Sequence, residues 1–359
     1  MTTNRRISLA VGGLLAAGLV ALLLTPSPID PLPYDAPAAP SLTGALAPNP
    51  ILQASVLLAE DVVQGPEDVA VDPLGRIYGG TADGRVVRLT PQAGGDYRVE
   101  TFAETGGRPL GLDFDPAGRL IVADADRGLL AIDTEGRLTV LAEEAEGLRF
   151  GLADDLDVAS DGRVYFSDAS WKYGFGTHLE DLLEARPHGR LLRYDPSTSQ
   201  TEVLADGLYF ANGVALSSNE DFVLVCETYR YRITRYWLEG PRAGTSDIFL
   251  DNLPGFPDGV SSNPRGTFWV ALFTVRNATL EALHPRPWLK RQLAKLPHSW
   301  WPKPAPYGLV LEVGEDGRIR RSLHDPTGER VPLITSAEEV GDVLYLGNLD
   351  RGWIGRLAL

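Results

Sequence analysis

A phrase built as Asp-x-x-Gly-Arg followed by alternating apolar residues recurs along this chain, and a recurrence of that kind limits the fold more than any single motif. It reads Val71-Asp-Pro-Leu-Gly-Arg-Ile-Tyr78, then Phe114-Asp-Pro-Ala-Gly-Arg-Leu-Ile-Val122, then Ala159-Ser-Asp-Gly-Arg-Val-Tyr-Phe166. Looser copies stand at Ser218–Val225, Ser262–Val270 and Val340–Gly347. Each copy has the pattern of a buried strand, a glycine turn and a second strand, with a more polar third strand after it, as in Gly84–Leu89 and Gly189–Tyr194. The first copies are spaced by about 44 residues, the length of one four-stranded propeller blade. Six copies predict an all-β, six-bladed β-propeller over residues 51–359. Leu57–Val63 precedes the first full unit and is expected to supply the outermost strand of the last blade, closing the ring. The 38 glycines and 27 prolines suit many short strands joined by tight turns.

Two spacings exceed a bare blade. Trp171–His188 is an insertion in the third unit, and Val275–Pro306 a larger one in the fifth, with Trp288–Leu296 at helical period. Both are expected over one face as loops and a short helix, with Trp300 and Trp301 as candidates for lining the mouth of the channel.

Arg5 and Arg6 precede an uninterrupted apolar run from Ile7 to Leu24. A run of this length predicts an N-terminal transmembrane helix, an uncleaved signal anchor over residues 1–25 with the arginines on the cytoplasmic side. The propeller would then lie outside the cytoplasm, on a periplasmic or extracellular face. A cleaved signal peptide and an exported soluble protein form the alternative. Residues 26–50, rich in Pro and Ala, read as a semi-rigid, disordered spacer holding the domain off the membrane. The formal net charge of −15 argues against nucleic acid as a partner, since that affinity rests on clustered Lys and Arg. The single cysteine, Cys226, excludes an intrachain disulfide and sits in an apolar run as core filler.

Four phrases place an oxygen-bearing side chain just before a short buried strand: Glu67 in Gly65–Val71, Asp154 in Gly151–Val158, Asn212 in Tyr209–Leu216 and Asp258 in Gly255–Val260. The first strand of each propeller blade lines the central channel, so these side chains converge although they are far apart in sequence. Three carboxylates and an amide around one point call for a cation, and an all-oxygen set without Cys or His suits Ca²⁺. Other chemistry-bearing residues have plainer readings. Ser167, Asp168 and Ser170 are expected in turn hydrogen bonding. His178, His188, His284, His298 and His324 lack metal-ligand spacing. Tyr229, Tyr231 and Tyr236 alternate with arginines, which suits an outer strand with a polar face.

In Gly65–Asp68, Gly107–Gly111, Val122–Ala125, Asp154-Asp155, Val164–Ser170, Phe210–Ala215, Cys226–Thr228, Leu253–Gly259 and Leu344–Gly347 the chain resembles the six-bladed propellers that include gluconolactonase (regucalcin), paraoxonase, the squid-type phosphotriesterase and the strictosidine synthase-like group. It is most similar to the last, in its adipocyte plasma membrane-associated type. The resemblance covers nearly everything after residue 50, and it implies a channel Ca²⁺ held by Glu67, Asp154, Asn212 and Asp258. The family usually has Asn where Asp154 stands, and Asp155 matches the Asp that follows; the extra charge should tighten the ion and weaken its pull on a substrate oxygen. The position of Asp258 acts in hydrolytic relatives as base or nucleophile, and Arg108 matches a substrate-contacting arginine of gluconolactonase. Leu110 stands where gluconolactonase has a polar partner, the histidine pair of paraoxonase has no placed counterpart, and Thr335 falls where the synthase has its catalytic glutamate. Condensation of an amine with an aldehyde is therefore not expected. The resemblance implies a Ca²⁺-dependent hydrolase of small-molecule esters or lactones; the alternative is a membrane-tethered propeller that binds a ligand or protein, with a purely structural Ca²⁺.

Overall fold

The structure, a computed structural model, describes residues 23–359 apart from Pro264. The repeated phrase proves to be a self-capped turn. Asp72 Oδ1 accepts the N–H groups of Leu74 and Arg76 at 3.0 and 2.9 Å, and Arg76 Nε returns to Asp72 Oδ2. Asp115 repeats the arrangement with Ala117 and Arg119. The glycine between them holds φ at +74° in Gly75 and +80° in Gly118, a left-handed conformation that any Cβ would strain. A further copy, Asp133–Arg137, caps the turn between the third and fourth strands of the second blade in the same way.

These turns link six four-stranded antiparallel sheets, so the predicted propeller is the fold observed. The innermost strands are Val69–Val71, Pro109–Phe114, Ala153–Val158, Ala211–Leu216, Gly255–Asn263 and Ile334–Val340. The ring closes as expected. Val56–Leu58 is the outermost strand of the last blade, with Val56 opposite Arg356 and Leu58 opposite Ile354. Apolar faces fill the gaps between blades; Trp269 and Val310 of the fifth meet Ile334, Leu344 and Leu346 of the sixth, all fully buried. Cys226 lies in such a layer, and burial pushes its thiol pKa up, as filler requires.

Both insertions lie on one another. The first carries the helix His178–Glu184, the second the helices Ala278–Leu283 and Pro287–Leu293. His298 Nε2 and Glu180 Oε1 meet across them at 3.0 Å. Beneath the first helix, Ser170 Oγ donates to Asp181 Oδ2 at 2.6 Å and His188 Nδ1 lies 2.9 Å from the same oxygen. Ser170 is thus a structural hydroxyl.

Two expectations are overturned. Residues 26–50 are not a free spacer but a strap, laid first on the insertions and then, through Ala45 and Asn49, along the strand Ile319–Asp325 of the fifth blade. Ile29 is buried, Leu32 N donates to the Glu184 carbonyl at 2.9 Å, Tyr34 N to that of His284 at 3.1 Å, and Arg276 reaches Pro37 O at 2.7 Å. Its prolines lack a backbone N–H, and donors that remain, such as Leu32 and Tyr34, find carbonyls of the insertions, so order here comes from partners that composition alone does not show. Tyr229 and Tyr231 are not on an outer face either: both are buried, because the chain turns inward through Thr228–Arg230 and Tyr231 takes φ +54°. The expected transmembrane helix falls largely on residues outside those described. Among the described residues no helix is long and apolar enough to cross a membrane.

Candidate active site

Glu67, Asp154, Asn212 and Asp258 come together as the sequence predicts, on the floor of one cavity of about 250 Å³. Each enters at or just before an innermost strand, three of them where the ladder skips register, between Ala153 and Leu156, Ala211 and Val214, and Pro257 and Val260. A strand bulged at this point turns its side chain along the channel axis. Glycines allow the blades to close in behind: a Cβ on Gly213 would lie 2.4 Å from the Asp258 carbonyl oxygen, and one on Gly259 2.6 Å from that of Thr335.

The electrostatics are those of trapped like charges. Burial first, then the neighbouring carboxylates of Asp154 and Asp258, push the Glu67 carboxyl pKa well up. Asp154 is raised by burial and by Asp258, and Asp258 by burial to about 8, although Asn212 Nδ2 donates to its Oδ1. Among the described residues no arginine forms an ion pair with them. Arg108 is near enough to feel Glu67 and Asp154, but its guanidinium donates to the carbonyls of Gly65, Gly80 and Pro109 and faces the Phe175 ring at 5.4 Å. It stands behind the cavity wall, joining the first two blades, and is not among the lining residues.

The donor chemistry suits a hard cation: three carboxylates that repel one another in a buried site, and an amide whose carbonyl oxygen is its other arm. Among the described residues no three or more His, Cys, Asp or Glu side chains are already gathered as metal ligands. The set is an open cradle.

The walls are apolar: the insertions give Phe175, Leu182 and Trp301, and the blades and their links Leu110, Phe210 and Phe256. Thr335 also lines the cavity, its hydroxyl donating to the Glu67 carbonyl oxygen at 2.5 Å, so the hydroxyl is spent on blade closure. Two histidines missed as site residues appear here, His178 and His298. His178 Nδ1 faces the Phe175 carbonyl, which fixes that nitrogen as the protonated one, and burial lowers the imidazole pKa, so the ring is neutral with Nε2 as its acceptor. Tyr229, stacked on Phe210 at 4.3 Å, completes the wall. The one signal for these residues was their place in or beside an over-long blade. Further along the channel a second, polar cavity of about 170 Å³ is lined by Asp68, Asp113, Asp155, Asp157 and Glu338.

The strictosidine synthase family profile matches residues 154–241, and a strictosidine synthase-like N-terminal profile residues 44–89. The human adipocyte plasma membrane-associated protein is 40% identical over 95% of this chain and 86% of its own length. The Arabidopsis thaliana protein strictosidine synthase-like 6 is 36% identical over 92% and 89%. The chain belongs to the strictosidine synthase-like family. Its fold is shared beyond that family. A Xanthomonas campestris gluconolactonase superposes with a TM-score of 0.62 at 20% identity, over 93% of this chain and 97% of that one. The Agrobacterium tumefaciens calcium-binding protein regucalcin gives 0.59 at 17% identity, over 84% and 92%.

Proposed function

We propose that this strictosidine synthase-like propeller is a Ca²⁺-dependent hydrolase of small-molecule esters or lactones. The observation that carries the reading is the floor itself: Glu67, Asp154 and Asp258, buried and mutually repelling, beside Asn212 under apolar walls. The gluconolactonase and regucalcin named above, alike in fold, are consistent with it. Glu67, Asp154, Asn212 and Asp258 would hold the ion, which would polarise a substrate carbonyl oxygen. The chain's own residues do the rest. Asp258, held by Asn212, would be ionised with the cation beside it, and is then the base that takes a proton from the attacking water. The apolar walls exclude bulk water and seat the acyl or lactone carbons. Arg108, by fastening the first two blades, positions Glu67.

Asp258→Asn tests this: at saturating Ca²⁺, loss of about 10²–10⁴-fold in kcat with the protein still folded is expected, and retained turnover would remove Asp258 from the mechanism. A second reading, a propeller that binds a ligand or protein around a structural Ca²⁺, is favoured by Thr335, whose hydroxyl is engaged with the Glu67 backbone. Bound Ca²⁺ without turnover on esters, lactones and phosphotriesters would decide for it.

A further inference from the structure

The face that carries the cavity mouth differs in charge and surface from the rest of the molecule. From His284 to Pro304 the chain holds Arg286, Lys290, Arg291, Lys295 and Lys303 and no Asp or Glu, within a protein of net charge −15. The same run holds Trp288 and Trp300, 60% and 71% exposed, and these are the most exposed tryptophans of the described chain. Their neighbours His298, Trp301, Pro302 and Lys303 line the cavity itself. Lys290 is committed inward to the Leu32 carbonyl, and Arg291 shares Asp30 with Arg186. The exposed indoles are not explained by packing.

A second observation concerns the strap. Leu23 offers its carbonyl oxygen to Lys295 Nζ at 3.5 Å, and Leu23 and Leu24 are themselves exposed. They are the last residues of the apolar run Ile7–Leu24. The end of that run, Leu23 and Leu24, therefore lies against the basic segment that borders the cavity.

We propose that this rim is a membrane-docking face, with Trp288 and Trp300 seated at the level of the lipid headgroups. Indoles favour that level because one edge is apolar and the N–H is polar, and lysine and arginine beside them meet anionic headgroups. An exposed apolar patch rimmed by polar and charged residues marks an interaction surface. Here the chain itself argues the occupant: the predominantly apolar stretch Ile7–Leu24 ends at the patch in Leu23 and Leu24, and a lipid surface receives both that stretch and the indoles. The cavity then opens toward the bilayer. The proposal rests on the membrane reading of Ile7–Leu24 and is independent of whether the floor hydrolyses anything.

The test uses the full chain reconstituted into phosphatidylcholine vesicles with and without brominated acyl chains, read by tryptophan fluorescence. Wild type should be quenched by the brominated lipid, and the Trp288→Tyr/Trp300→Tyr variant, both positions being exposed, should lose at least half of that quenching while floating equally well with the vesicles. Replacing Arg286, Lys295 and Lys303 by Gln should reduce any extra quenching on vesicles containing phosphatidylserine. Failure of the full chain to float with vesicles, absence of quenching, or quenching unchanged in the double variant would each overturn the proposal.

Discussion

Asp157 of the third blade accepts the N–H of Leu216 of the fourth at 2.7 Å, so a channel carboxylate fastens one innermost strand to the next. The device is repeated around half of the ring. Asp68 accepts from Leu112 at 2.9 Å, Asp113 from Val158 at 3.0 Å and Asp155 from Val214 at 2.9 Å. Each bond offsets part of what it costs to bury a carboxylate, but not all of it: burial still raises Asp157 to about 6 and drives Asp113 and Glu338 well up.

A pH dependence follows from Asp157. A carboxyl raised in the folded state binds its proton more tightly there than in the unfolded chain, so its contribution to stability is full below about 4 and is lost as pH rises through about 6. Asp157→Asn keeps an oxygen for Leu216 and removes the titration. Urea midpoints at pH 4.5 and 7.5 should show the variant gaining on wild type at the higher pH. An equal difference at both would mean Asp157 does not titrate in this window.

Calcium should act on the floor. The purified protein is expected to retain Ca²⁺ and to melt lower with chelator; at a free concentration a hundredfold above Kd the ion stabilises by about 2.7 kcal/mol. Asp154→Asn removes one of the three buried carboxylates, so it should weaken binding, and Glu67→Gln more strongly, since Glu67 is raised by both Asp154 and Asp258. Metal content measured after dialysis checks this. A chain that carries no metal and ignores chelator would refute the cation reading.

The strap should stiffen the roof of the cavity. Tyr34 lies edge-on to His284 at 5.5 Å and its ring meets the Arg230 guanidinium at 3.9 Å, a partly buried pair. Tyr34→Ala should cost about 1–2 kcal/mol and raise amide exchange in His178–Glu184 and Ala278–Leu283, leaving the innermost strands unaffected. Uniform exchange across the ring would mean the strap is not local to the roof.

How far the sequence could be read depended on periodicity. The ring, its closure through Val56–Leu58 and the convergence of Glu67, Asp154, Asn212 and Asp258 all follow from a repeat, because a repeat fixes which residue of each blade faces the axis. The strap was hidden because Pro and Ala carry no periodic signal, and its order comes from partners such as Arg276 and Glu184 more than a hundred residues away in the chain. Tyr229 was misread because alternation with arginine mimics a strand, whereas the local backbone is a turn. Arg108 matched a substrate-contacting position, yet three backbone carbonyls claim it.

His178 is the site residue with the least sequence signal and a distinct consequence. Its Nδ1 proton is directed at the Phe175 carbonyl and burial keeps the ring neutral, so Nε2 is a free-base acceptor on the same cavity wall as the floor carboxylates. If substrate is hydrolysed there, a neutral imidazole can accept a hydrogen bond from the attacking water or the substrate, and His178→Asn should lower kcat by about tenfold or more with KM little changed. Because burial lowers its pKa, protonation should cut activity only below the usual histidine value near 6.5, and that acid limb of kcat/KM should vanish in the variant. A variant with wild-type kcat and an unchanged profile would make His178 a wall residue; a variant that raises KM alone would make it a binding contact. Either result leaves Asp258, tested separately, as the base.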